Sequence, residues 1–269
     1  VSAKKMILPN YLVSINNIKD IDKYKKVGLT TFLFALKEYS IGYESYFDVD
    51  TINQICGNKY VLINRLLDSK DIDNLKKILP NLHVNGFIFE DIGLINVFKE
   101  LDIKGQKILF MNHFNCNYAS INTWLNYVDS VFVSNELTEE EYDLILKNVS
   151  KPIVVNIFGY NEIMYSRRFL LTNFYKNFKL KNQPFNTIED KVSHIKFHLV
   201  ESEYGTIALS EHIYDGRRLY NKNNILFYYI NMSFISNEKL YKFLKGETVP
   251  NSDNGFLDTP TVYKIRGDN

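Results

Sequence analysis

Carboxylates, amides and arginines recur just past the apolar runs of this 269-residue chain. Glu90 and Asp91 follow one run, and Asn64 and Arg65 another. Asn112, His113, Asn115 and Asn117 follow a third, and Asn135 and Glu136 a fourth. The stretch Asn156 to Thr172 then presents Tyr160, Asn161, Glu162, Tyr165, Ser166, Arg167 and Arg168. Adjacent arginines beside Tyr and Ser suit the capture of an anion or of a carbonyl-rich chain; the competing reading is an ordinary surface pair with acids. Glu90, Asp91 or Glu136 could act as a general base, with His113 as a partner, or could favour a helix N-terminus. Neither H-E-x-x-H nor H-x-x-E-H occurs, so a zincin-type metal site is not expected. Ser166 lacks the Gly-x-Ser-x-Gly frame of a nucleophile elbow. No Gly-rich phosphate loop follows any strand, which disfavours nucleotide binding by that route.

These side chains need elements to hold them. Apolar runs at 11–15, 29–36, 60–63, 86–89, 107–111, 130–133 and 153–157 read as strands, and from the second onward their starts recur every 21–31 residues. Amphipathic segments fill nearly every interval, including a helix capped at Ser69 and a capping box at Thr138–Glu141. A repeated βα unit predicts a parallel sheet, and this number of units favours a closed (βα)8 TIM-like barrel over an open doubly wound sheet. In such a barrel the strand ends converge on one mouth, so the polar clusters above would share a pocket.

Gly159 reads as the end of the seventh strand, with a turn after it. Residues 174–190 read as a polar connection, and about 192–212 as an inserted β-hairpin. An eighth strand is expected at 224–230 and a last helix at 236–244. The expected organisation is thus a barrel over 1–245 and a C-terminal tail over 246–269, tied down by a short strand at 261–265.

Composition narrows the function classes. With 32 basic and 31 acidic side chains the net charge is +1, which gives no global footprint for nucleic acid or membrane. Cys56 and Cys116 lie far apart, outside any C-x-x-C pair, and read as reduced, mostly buried thiols. No run of about 18 apolar residues predicts a membrane span, and the first residues lack a long signal-peptide core. A cytoplasmic protein is expected.

Several runs resemble the peptidase U32 (collagenase-like protease) family. They are Ser134-Asn-Glu-Leu-Thr-Glu-Glu-Glu141, Phe158-Gly159, Met164-Tyr-Ser-Arg-Arg-Phe-Leu-Leu-Thr-Asn173, Gly86-Phe-Ile-Phe-Glu-Asp-Ile-Gly93, Glu201-Ser-Glu-Tyr-Gly-Thr206 and Gly255 to Ile265. The resemblance implies a barrel-like domain and a peptidase activity. It also implies, for other members, RNA or quinone hydroxylation with an iron–sulfur cluster on four cysteines. Phe169 stands where the first of those cysteines would be, so neither a cluster nor any other cofactor is expected here. The chain looks like the shorter, cluster-less members that accompany a larger paralogue.

The leading expectation is a hydrolase acting on peptides, with Glu136, Glu90, Asp91 and His113 as catalytic groups. Asn64, Arg65, Asn115, Asn117, Tyr165, Ser166, Arg167 and Arg168 would bind substrate. The alternatives are a tRNA or RNA uridine hydroxylation enzyme or accessory protein, whose arginines and tyrosines would meet phosphate and base, and a lapsed barrel used for binding.

Overall fold

A computed structural model describes residues 10–111, 113–181, 183 and 185–259. Asn112 and the strand expected at 261–265 lie outside the described residues. In chain order the elements are β1 (Tyr11–Ser14), α1 (Ile21–Lys26), β2 (Thr31–Ala35), α2 (Val49–Gln54), β3 (Asn58–Ile63), α3 (Ser69–Ile78), β4 (Gly86–Phe89) and α4 (Leu94–Glu100). There follow β5 (Gln106–Leu109), α5 (Tyr118–Trp124), β6 (Ser130–Val131), α6 (Glu139–Asn148), β7 (Ile153–Ser166) and α7 (Leu170–Phe178). The last are β8 (Phe185–Glu189), β9 (Lys196–Ser202), β10 (Gly205–Asp215), β11 (Ile225–Ile230), α8 (Asn237–Leu244) and β12 (Ser252–Asp253).

The fold is mixed α/β on a large, mainly parallel sheet. Strands β6-β5-β4-β3-β2-β1-β11-β7 are neighbours in that order, all parallel. The path returns on itself: Phe132, just past β6, bridges Val154 of β7, and the Val133 amide donates to the Val154 carbonyl at 3.0 Å. The ring expected from the βα repeat therefore closes, through one bridge.

Alternation along the strands separates two cores. Leu12, Leu33, Leu62, Ile88, Ile108, Phe132, Val154 and Phe227 form one cluster. Their neighbours Val13, Phe34, Val61, Phe89, Leu109, Val131, Val155 and Ile230 pack instead with Leu75, Phe98, Ile121, Ile145 and Leu240 of the helices. A strand with both faces buried must be apolar throughout, which is why these runs are so legible. Helices α2, α3, α5, α6 and α8 start on Asp48, Asp68, Asn117, Thr138 and Ser236, each accepting a backbone N–H from the first turn. Asp68, not Ser69, caps α3, because its carboxylate and that of Asp71 satisfy each other's backbone N–H.

The region after Gly159 differs from its expected turn. Strand β7 runs on to Ser166, leaving the ring and pairing with β10 as an antiparallel ribbon. Its polar residues made it look like a turn, but it contains no residue pair that reverses the chain. Gly159 is a kink inside the strand. Its φ is 135°, and a Cβ there would lie 2.6 Å from the Asn231 carbonyl oxygen. Gly159→Ala is expected to destabilise the fold by about 3 kcal/mol, from strain plus displacement of β11's exit. Urea denaturation would measure it, and an unchanged midpoint would contradict this account.

The expected hairpin is likewise larger than 192–212. Strands β8, β9 and β10 form an antiparallel meander joined to β7, and α7 replaces much of the expected polar connection. Leu171 and Tyr175 of α7 pack on Leu199 and Ala208. The helix N-terminus has no side-chain cap of its own. Instead the Glu201 carboxylate accepts N–H groups of Leu171 and Thr172 and the hydroxyls of Thr172 and Thr206. Burial alone would raise the Glu201 pKa, but these bonds outweigh it and hold it below the usual value. The stability it lends is present above the unfolded carboxylate pKa and is lost as pH falls through the lower, folded one. Glu201→Ala should cost about 2 kcal/mol and free the first turn of α7. Hydrogen exchange should then rise at residues 170–175, and exchange unchanged from wild type would refute it.

Candidate functional site

Glu90 is the first residue past β4, where its amide donates to the Ile63 carbonyl. Ile88 lines the ring interior, so alternation turns Glu90, two residues on, toward the same side. Desolvation by burial pushes its carboxyl up to about 8, helped by the charges of Glu162 and Asp91. Glu162 reaches the mouth from β7, beyond the kink, where it pairs with Leu209 of β10. Burial raises its carboxyl to about 7. Its charge also acts on Tyr43 and Tyr229, buried tyrosines whose oxygens are 2.6 Å apart. Both phenols are held above their ordinary pKa, chiefly by desolvation.

The ribbon that carries Glu162 also roofs the ring. Ile207 and Leu209 of β10 pack on Ile41 in the loop after β2. Gly42 allows this approach: its φ is 81°, and a Cβ would sit 2.7 Å from Ile207 Cδ1. Beneath the roof is a cavity of about 20 Å³ between Tyr43, Asn135, Asn156, Asn161, Glu162 and Tyr229. The Asn161 side-chain oxygen accepts from Asn135 Nδ2 at 2.8 Å and from Asn156 Nδ2 at 3.0 Å. The Asn161 amide in turn donates to Ser210 Oγ at 3.0 Å. The arrangement is an interior with two weakly acidic carboxyls and fixed amide dipoles, suited to moving a proton near neutral pH.

Glu90 thus sits beside Asp91, whose Oδ1 accepts from the Gly93 amide at 2.8 Å. His113 and Glu136 form a separate pair at 3.1 Å with both side chains about half exposed. Asn64 is buried and bonds both the N–H and the carbonyl of Ile41, so it pins the loop after β2. Asn115 is buried against the Phe132 carbonyl, and Asn117 caps α5. Ser166 Oγ accepts from the Arg168 amide.

Arg65, Tyr165 and Arg167 do meet, in a second cleft of about 260 Å³ that also includes Phe169 and Tyr204. There Arg65 is already ion-paired with Asp71 and stacked 4.3 Å from the Tyr204 ring, and Arg167 lies 3.8 Å from Asp68. Arg168 is exposed. Two of the three arginines thus face carboxylates, which weakens the case for phosphate capture. Both cysteines are exposed and free rather than buried, since each lies in a loop, after α2 and after β5.

Of the polar residues around this cavity, Asn135, Asn161 and Glu162 are named in the sequence reading without an assigned role, and Asn156 only as the start of its stretch. A signal for one was present: Asn156 is a polar residue in the interior row, two after Val154, in an otherwise apolar strand. Glu162 was hidden by the reading of its segment as a turn.

Among the described residues no three His, Cys, Asp or Glu side chains gather as a metal site, and no helix is long and apolar enough to cross a membrane. Phe169 is 44% exposed at the start of α7 and offers no sulfur. With two cysteines in the whole chain, its residues do not fit a four-cysteine iron–sulfur cluster.

The profile of Peptidase family U32 matches residues 49–192. No curated protein matches. Among solved structures, a chitinase from Chromobacterium violaceum ATCC 12472 is 9% identical, with 93% of this chain and 97% of that one covered at a TM-score of 0.39. The Bacillus cereus spore cortex-lytic enzyme SleL is 9% identical, with 91% and 76% covered at a TM-score of 0.43.

Proposed function

Taking as premise that the chain belongs to peptidase family U32, we propose that it is a hydrolase of peptide bonds whose acid and base are Glu90 and Glu162. The observation that carries this reading is the pair itself: two carboxyls at one mouth, raised to about 8 and about 7. Near neutral pH Glu162 supplies the carboxylate and Glu90 keeps its proton. One can take a proton from water while the other gives one to a leaving amine. The cleft holding Arg65, Tyr165 and Arg167 supports the reading as a place for part of the substrate chain. His113 and Glu136, more exposed, are assigned to the rim rather than to the chemistry.

The test is cleavage of a gelatin-derived peptide mixture followed by mass spectrometry of new termini. Wild type should cleave, and Glu162→Gln and Glu90→Gln should not. Cleavage that persists in both variants would refute the assignment. His113→Ala, in contrast, should retain activity within about threefold, as expected of a group outside the proton path.

A further inference from the structure

Two amides at the small cavity are oriented by the side-chain oxygen of a third. Asn161 Oδ1 accepts from Asn135 Nδ2 and from Asn156 Nδ2, so each of those side chains has its nitrogen committed and its oxygen turned elsewhere. Both oxygens, Asn135 Oδ1 and Asn156 Oδ1, are buried and meet no protein donor. Asn135 is 9% exposed and Asn156 6%. Both side chains line the cavity of about 20 Å³, together with Glu162. Buried acceptors of this kind call for a donor. A water needs about 10–15 Å³ of such space and two to four polar partners. Between the walls of Phe110 and Leu209 and beside the close-fitting Gly42 the enclosed space is the size of one water, so a substrate would approach that water from outside the cavity.

We infer that Asn135 and Asn156, oriented by Asn161, bind a single water molecule beside Glu162, and that this water is the one hydrolysis consumes. The role rests on the acid–base reading of Glu162 and Glu90; the site itself does not. In the step, the water's O–H bond breaks toward the Glu162 carboxylate as its oxygen bonds to the substrate carbonyl carbon. The Glu90 carboxyl gives its proton to the leaving nitrogen as the C–N bond breaks. One water enters and a carboxylic acid and an amine leave, with no oxidant or second reactant. In this geometry one O–H of the water is shared between Asn135 Oδ1 and Asn156 Oδ1, the other points to the Glu162 carboxylate, and the oxygen lone pairs are left for the carbonyl carbon.

The substitutions Asn135→Leu and Asn156→Leu keep similar bulk and remove the acceptors. A high-resolution crystal structure of the wild type should show a peak within hydrogen-bond distance of both Oδ1 atoms, and each Leu variant should lose it. Carbon-13 NMR titration of Glu162, which needs no substrate, should show a shifted midpoint in both variants. With the peptide mixture, kcat should fall about 100-fold and KM stay within about twofold.

No peak in the wild type, or a peak that rubidium replaces with an anomalous signal, overturns the water assignment. A peak present but kcat retained in both folded variants overturns its role. If the wild type cleaves nothing while the peak and the Glu162 shift are found, the hydrolase reading and the water's role fail together and the binding site stands. Having two variants guards against one that fails to fold.

Discussion

Glu162→Gln is expected to lower kcat by about 10³-fold with the fold intact, since positioned general bases contribute roughly 10²–10⁴. The wild-type pH profile carries the stronger signature. Activity should rise as Glu162 ionises near 7 and fall as Glu90 loses its proton near 8, giving a narrow bell between them. Each limb has its own cause. Burial of Glu162 sets the lower one, and burial of Glu90, with the Glu162 charge beside it, sets the upper one. Removing the Glu162 charge should therefore lower the Glu90 midpoint while leaving it above the ordinary carboxylate value, because desolvation is the larger cause. Initial rates across the pH range, with an NMR titration of Glu90 in both proteins, would measure this. A broad plateau from acid to alkaline pH would contradict the pairing.

Glu90→Gln should make the protein more stable in alkaline solution. In the unfolded chain Glu90 ionises near 4.5, and in the folded chain it keeps its proton up to about 8. Between those values the folded state binds more protons, so stability falls as pH rises through the window and levels off above it. Glutamine, which cannot ionise, escapes this loss. One pKa unit corresponds to about 1.4 kcal/mol, so the gain above pH 8 is roughly 3 kcal/mol after allowance for the partial exposure of the side chain. For a chain of this size that is about 5–10 °C in Tm. At pH below 4.5 the two proteins should melt together. Calorimetry at both ends tests it, and an equal difference at both would show that packing, not ionisation, is responsible. Coupled with lost activity, the result would place Glu90 among residues kept for function at the expense of stability.

The ring was legible because its strands are buried twice over. Runs such as Thr31-Phe-Leu-Phe-Ala35 and Ile153-Val-Val can hardly be anything else, and their regular spacing carries the topology. The capping box at Thr138 and Glu141 was equally plain. What escaped was the segment after Gly159. Beyond Gly159 the run Tyr160-Asn-Glu-Ile-Met-Tyr-Ser166 is part-buried to exposed and keeps no period-two alternation, so in sequence it also fits a loop. Phe169 and Leu170 begin a helix without a local cap, because the cap is Glu201, some thirty residues later. A long-range cap leaves no mark in a short window. The proposed acid–base pair divides the same way: Glu90, one step past a strand, stood out as a candidate, and Glu162, inside a strand read as a turn, was named without a role. Asn64 and Asn117, chosen for their position, turned out to be tying down a loop and a helix.

The single bridge between β6 and β7 has a kinetic meaning. Other neighbours in the ring share three or more registered pairs, apart from β5 with β6, whereas this seam is one bridge at Phe132 and Val154. Asn135 lies three residues beyond that bridge and Asn156 two beyond its partner, so the seam runs directly to the roofed cavity. A ring covered at its mouth must refill from somewhere, and the seam is where neighbouring strands part at least cost. Turnover would then be gated by breathing of the wall. The Val133 amide, bonded across the seam, should exchange its hydrogen well before the Phe132 amide, which is bonded to Leu109 on the other side.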